Sequence, residues 1–263
     1  MNTATKSKEF TKQEALFEYL VRLADDRLIL GHRLSEWCGH GPILEEDIAL
    51  ANISLDYIGH AANLYEYAVE VEEAGRHRDD LVYFRNDVEY KNLKITELPK
   101  GDFGFTIARQ FLFSSYSYYL YQLLSDVEDE QFRGMVEKHF KEIKYHLRHS
   151  REWVLRLGDG TEESHERIQD AFNDIWTYIG ELFHQDEVEE LLQDNNLAAN
   201  TETFKSDWKD LVSDTLTEAT LEVPDFDQFM VEGSRKGLHT EHLGHLLAEM
   251  QHLRRSYPDA DWE

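Results

Sequence analysis

Residues 76–101, RHRDDLVYFRNDVEYKNLKITELPKG, decide how the rest of the chain is arranged. Apolar side chains fall here at no helical period and Pro99-Lys-Gly-Asp102 reads as a turn, so the stretch is a long connection with room for one short element. Its flanks read differently. Upstream, Thr11-Lys-Gln-Glu14 is a capping-box pattern, and Leu16, Leu20, Leu23, Leu30, Leu34 and Trp37 recur at three- and four-residue steps or their sums, which predicts a helix to about Cys38. Gly39-His-Gly-Pro42 breaks it. Glu45, Glu46 and Asp47 suit the positive end of a second helix, which runs to about Ala74 with Gly75 as the stop. Downstream, a third helix is expected from about Phe103 to Leu124 and a fourth from about Gln131 to Leu157, joined by the acidic loop Asp126 to Glu130 and ended by Gly158-Asp-Gly160.

Two hairpins of long helices joined by one long crossover have the connectivity of ferritin-like bundles. The expected fold class is therefore all-α, a ferritin-like four-helix bundle with additional C-terminal helices. These are read at about Ser164 to Phe183, Thr203 to Ala219 and Thr240 to Arg255, packed outside the four-helix core. No repeat, low-complexity tract or Gly/Ser linker divides the chain, so residues 1–263 read as one domain with a flexible N-terminus over 1–10. Only 4 Pro and 14 Gly argue against a sandwich or barrel. The 27 Lys and Arg against 53 Asp and Glu leave a net charge of −26, a field that repels phosphate backbones and anionic lipid. Nucleic acid and membrane surfaces are thus poor partners. No apolar run approaches the roughly 18 residues that a spanning helix needs. Cys38 alone forms no internal disulfide and MNTATKSKEF lacks the apolar stretch of a signal peptide, so the cytoplasm is the expected location.

Bundles of this connectivity hold two metal ions when two helices each give a Glu and the other two each give Glu-x-x-His, because positions i and i+3 project side by side. The first helix offers Glu36. The second offers Asp56, but three residues later stands Gly59, and His60 arrives one step late. Glu142 in the fourth is likewise followed by Tyr145, with His146 one step late. A four-residue spacing can still set two ligands on one face. The third helix weighs more, since no Asp or Glu lies between Asp102 and Asp126. Three carboxylates are a poor match for two divalent ions in a dry core. Glu36, Asp56, His60, Glu142 and His146 therefore read as a degenerate site, with no metal and no catalytic residue expected in this chain.

Other polar groups have plainer readings. Glu162/His165, Glu181/His184 and Glu249/His252 carry the acid-x-x-His spacing, but chance alone gives about 2.6 such pairs in this composition. His32, Arg33 and Glu36 read as an ion-pair cluster, with Arg33 or another cation standing where metal charge once was. Lys144 reads as solvated. His239, His242, His245 and His252 fall on more than one face and read as exposed. Phe111, Phe113, Tyr116, Tyr118, Tyr119 and Tyr121 read as bundle core, their phenols needing partners when buried.

Several segments resemble the C-subunit family of bacterial phenylacetyl-CoA ring epoxidases. They are Arg33-Leu-Ser-Glu-Trp-Cys-Gly-His40, Asp47-Ile-Ala-Leu-Ala-Asn-Ile53 with Leu55-Asp56, Thr106-Ile-Ala-Arg-Gln110, Tyr145-His-Leu-Arg148, and above all Lys236-Gly-Leu-His-Thr-Glu-His-Leu-Gly244 with Leu247-Ala-Glu-Met-Gln251. The resemblance spans the chain in order. It implies a cytoplasmic multicomponent mono-oxygenase of aerobic phenylacetate breakdown, in which a related A subunit holds the di-iron centre and binds the acyl-CoA. A separate reductase with flavin and an iron-sulfur centre supplies electrons. It also implies that this chain is the metal-poor structural partner of the A subunit, not catalytic alone. Two other readings stay open on residues alone: a di-iron oxidoreductase with unusual ligands, and a stand-alone binding bundle with a tyrosine-lined interior. The acidic surface fits either salt adaptation or a basic docking partner.

Overall fold

The computed structural model describes residues 10–260, so the flexible N-terminus expected over 1–10 lies outside the described residues but for Phe10. Among the described residues there are ten α-helices and no strand. α1 (Lys12–Ser35) starts at the expected capping box, with the Thr11 side chain accepting from Glu14 N and Glu14 reaching back to Thr11 N at 2.9 Å. α2 (Leu44–Glu72) packs along it, closing the first hairpin. α5 (Phe103–Leu124) and α6 (Glu130–Gly158) form the second, each capped by an aspartate, Asp102 and Asp129. α2 also packs on α6. α7 (Glu162–Ile175) and α9 (Lys205–Glu218) lie against α5 and α6, and α10 (Glu241–Ser256) lies against the crossover.

Four expectations need correction. α1 ends at Ser35 and not at Cys38, because Trp37, Cys38 and His40 donate to carbonyls three residues back and wind a tighter turn. The crossover carries three short elements where one was expected: α3 (Arg78–Tyr83), a 3-10 turn at Asp87–Glu89 and α4 (Lys94–Glu97). The helix read as continuous to Phe183 becomes 3-10 from Trp176 onward. α8 (Glu187–Gln193), started by an Asp186 capping box, was not anticipated.

Residues 19–31 of α1 are all buried, so this helix is the axis around which the rest is wrapped. Most of its buried charges are consumed by the crossover and by segments further along the chain. Asp25 accepts from Arg85 Nη1 at 3.0 Å, from Lys91 N at 2.7 Å and from the Tyr65 hydroxyl. Asp26 accepts from Leu93 N at 2.6 Å and from Arg235 Nη2 at 3.0 Å. Arg22 reaches Asp186 and Glu189, both at 2.9 Å. Two further carboxylates finish the clamp. Glu181 accepts from Lys94 Nζ at 2.8 Å and Ser234 N at 2.9 Å, while Glu97 accepts from Asn92 Nδ2 at 2.8 Å and from Thr240 N.

His239, expected at the surface, belongs to this clamp. Its Nδ1 lies 2.8 Å from Glu97 Oε2 and its Nε2 2.9 Å from the Tyr90 carbonyl. Both ring nitrogens thus face acceptors. The aromatic run of α5 divides as its periodicity requires: Phe111, Phe113, Tyr116 and Tyr121 are buried, and Tyr118 and Tyr119 are half-buried.

Candidate functional site

Across the antiparallel seam of α2 and α6, polar side chains meet in rungs. His146 Nε2 donates to Asp56 at 3.0 Å, His60 Nε2 donates to Glu142, and Asn63 Nδ2 donates to His139 Nε2 at 3.1 Å. Each step of four and then three residues up α2 is matched by four and then three down α6. Nearer the start of α2, His149 Nε2 donates to Glu46 at 2.8 Å. In the Asp56 and Glu142 rungs the carboxylates are about one-third exposed and the imidazoles lie inside.

Behind the rungs lies a second buried polar patch, apart from the clamp around α1. His60 stacks on His139 with ring centroids 3.9 Å apart, and Tyr57 lies 4.8 Å from His146. The Tyr57 hydroxyl accepts from Gln110 Nε2 at 2.8 Å, and the same nitrogen donates to Ser114 at 2.8 Å. Arg27 of α1 enters from the opposite side, its guanidinium 4.9 Å from the Tyr121 ring and 5.7 Å from that of Phe113. It donates one bond, to the Leu23 carbonyl, while its Nε and Nη2 have no partner among the described residues. The nearest carboxylate recorded for it, Asp26 at 4.0 Å, is already held by Arg235 and Leu93 N.

This environment favours neutral imidazoles. Burial, reinforced by the Arg27 charge and by His146, holds His60 well below its usual range. Burial, His60 and Arg27 bring His139 down to about 2. Burial pushes the Tyr57 hydroxyl up to about 12 and raises Tyr121 as well.

The residues present do not fit a di-metal centre. Of the five sequence candidates, Asp56, His60, Glu142 and His146 do come together, but as two closed acid–histidine pairs in which each donor set is spent on the other helix. Glu36 is elsewhere: it caps the C-terminus of α1, is exposed, and pairs with Arg33 at 2.8 Å. α5 offers the core Gln110, Ser114 and Ser117 where a ligand-bearing helix would offer carboxylates. Arg33 is paired with Glu36, as the ion-pair reading has it, and also donates to the Glu97 carbonyl; two other guanidiniums, those of Arg27 and Arg109, are sealed in the core. Among the described residues, no three His, Cys, Asp or Glu side chains are grouped to hold an ion.

The phenylacetic acid catabolic protein family matches residues 1–262. The chain belongs to that family. A relative from Escherichia coli (strain K12), the C subunit of its 1,2-phenylacetyl-CoA epoxidase, is 43% identical over 247 residues, which is 94% of this chain and 99% of the relative. The block most specific in the family resemblance, Lys236–Gly244 with Leu247–Gln251, packs against the crossover and supplies part of the clamp. His239 and Thr240 bind Glu97, Arg33 donates to the His242 carbonyl, and Gln251 Nε2 donates to the Val82 and Arg85 carbonyls. Sequence reasoning missed Arg27, Glu46, Asn63, His139 and His149. A signal existed for the last three: Asp56, His60 and Asn63 share one face of α2, as His139, Glu142, His146 and His149 share one face of α6.

Proposed function

We propose that this chain is the C subunit of a phenylacetyl-CoA epoxidase and serves it as a single ferritin-like bundle that does no oxygen chemistry itself. In this reading it pairs with the A subunit that holds the di-iron centre, while a reductase with flavin and an iron-sulfur centre feeds electrons to that partner. The assignment to the epoxidase rests on the relative, whose name carries the substrate and the subunit. The non-catalytic role rests on one observation: the seam's acids and histidines close on each other, with a buried guanidinium behind them. The two long hairpins and the crossover between them support the ferritin-like bundle. We assign the complex to the cytoplasm, where a CoA thioester is at hand and the exposed thiol of Cys38 stays reduced.

The test is to copurify the chain with its A subunit, separate the two and count metal on each. About two iron per A subunit and none here is the expected result. Reconstituted complex carrying His146→Gln in this chain, whose amide can still donate to Asp56, should epoxidise at the wild-type rate. Stoichiometric iron on the separated chain, with the absorption of an oxo-bridged pair, would refute the role.

A further inference from the structure

α2 carries two apolar faces and the fold uses one. Leu50, Ile53, Tyr57, Ala61, Leu64 and Ala68 are buried inside. On the outer face, Leu44, Ile48, Ala51, Leu55, Ile58 and Ala62 follow at steps of four, three, four, three and four, a stripe about 27 Å long at the helical rise. Leu44 is 71% exposed, Ile48 52% and Leu55 65%, and the other three are half-buried. Beside them the exposed Gly59 has nothing within 4 Å of where a Cβ would stand, which leaves the backbone open to close approach. Single exposed aliphatics are ordinary, but three exposed and three half-buried apolar residues at the 3.5-residue repeat are the pattern that another helix fills.

One edge of the stripe is acidic. Glu45, Asp56 and Glu66 of α2 and Glu142 of α6 lie along it; Glu66 is paired with Arg78 at 3.6 Å and has Lys138 of α6 nearby, while Asp56 and Glu142 each hold only a bond to a buried imidazole on their inner side. Covering the stripe dries these carboxylates, which is favourable only if the incoming surface brings cations. A second copy does not suit: it sets −26 against −26, and antiparallel docking would lay acidic edge along acidic edge.

We propose that this outer face of α2 is the docking seam for a helix of the sister bundle subunit, one whose own apolar heptad stripe is flanked by Lys and Arg. The inference rests on the pairing role above and adds the surface and the partner's chemistry. The test is calorimetric titration of the purified A subunit with wild-type chain, with an Ile48→Glu/Leu55→Glu variant, and with Phe229→Glu as control, since Phe229 is 79% exposed away from the seam. All three positions face solvent in the single chain, so unchanged circular dichroism is expected of each variant. The double variant should bind at least about 100-fold more weakly and the control within about twofold of wild type. Wild-type affinity should fall as salt rises.

Wild-type affinity in the double variant would overturn the seam while leaving the pairing role intact. Wild-type chain that fails to bind the A subunit at all would overturn the pairing role instead. Self-association of the chain alone, seen by light scattering and lost in the double variant, would give the seam to a second copy, and salt-independent binding would refute the basic flanks.

Discussion

The α2–α6 seam and the clamp around α1 are built from the same residue types, yet they behave oppositely. In the clamp the carboxylates Asp25, Asp26, Glu97 and Glu181 are fully enclosed, each held by backbone N–H groups and by Arg, Lys or His from segments far along the chain. In the seam the carboxylates of Asp56 and Glu142 sit at the rim and the imidazoles sit inside, that of His60 held well below its usual range by burial. The lesson is that acid and histidine content reports no metal by itself. Which of the two is buried, and whether a permanent cation is opposite, separates a structural ionic lock from a spent ligand set.

The largest expected effect falls on the clamp. Arg235→Ala strands Asp26 as a buried anion with the Leu93 N–H as its main remaining support, so unfolding in urea should lose about 3–5 kcal/mol, with amide exchange accelerated first in α10. A loss below about 1 kcal/mol would make the clamp no stronger than a surface pair.

Acid should act on the seam next. The folded-state pKa of His139 is depressed from 6.5 to about 2 and that of His60 is also lowered, so their contribution is fully present above about pH 6.5 and is lost as pH falls from there toward 2. At pH 5 His139 alone should cost about 2 kcal/mol, and His139→Gln should flatten the urea-derived stability profile between pH 7 and 5 by about that amount. A ring proton of His139 that titrates near 6.5 in NMR spectra of the folded protein would contradict this.

The smallest effect sharpens the contrast. Arg27 is a buried cation with one good hydrogen bond, so Arg27→Met should leave stability unchanged or raise it by up to about 2 kcal/mol in the same urea assay. A drop of several kcal/mol would mean that Arg27 is as well paired as Arg235.

The long helices were legible because their signals are local. The capping box at Thr11 was read directly, and the apolar periods bring α5 and α6 within a residue of expectation, although Asp102 and Asp129, read as turn and loop residues, prove to be their caps. The crossover was not legible, since elements of four to six residues carry no period and theirs are fixed by bonds to α1, some 60 residues upstream. The offset histidines were visible, and the offset itself was the clue: His60 and His146 sit one step late for a shared ion and in register for each other's helix. Glu36 misled because a helix pattern does not mark where its last turn tightens. Arg27 was silent in the sequence, as an arginine inside a helix gives no hint that its guanidinium will be sealed in.

The enclosure of α1 has a consequence for how the chain is made. This helix leaves the ribosome before its partners do: Asp25 waits for residue 85, Arg22 for residue 186 and Asp26 for residue 235. Until most of the polypeptide has been translated, its central charges have no permanent counterparts and its apolar sides no cover. Stalled or truncated nascent chains should therefore be cleared by proteases, and the finished one should fold slowly, its rate governed by contacts between the two ends of the sequence.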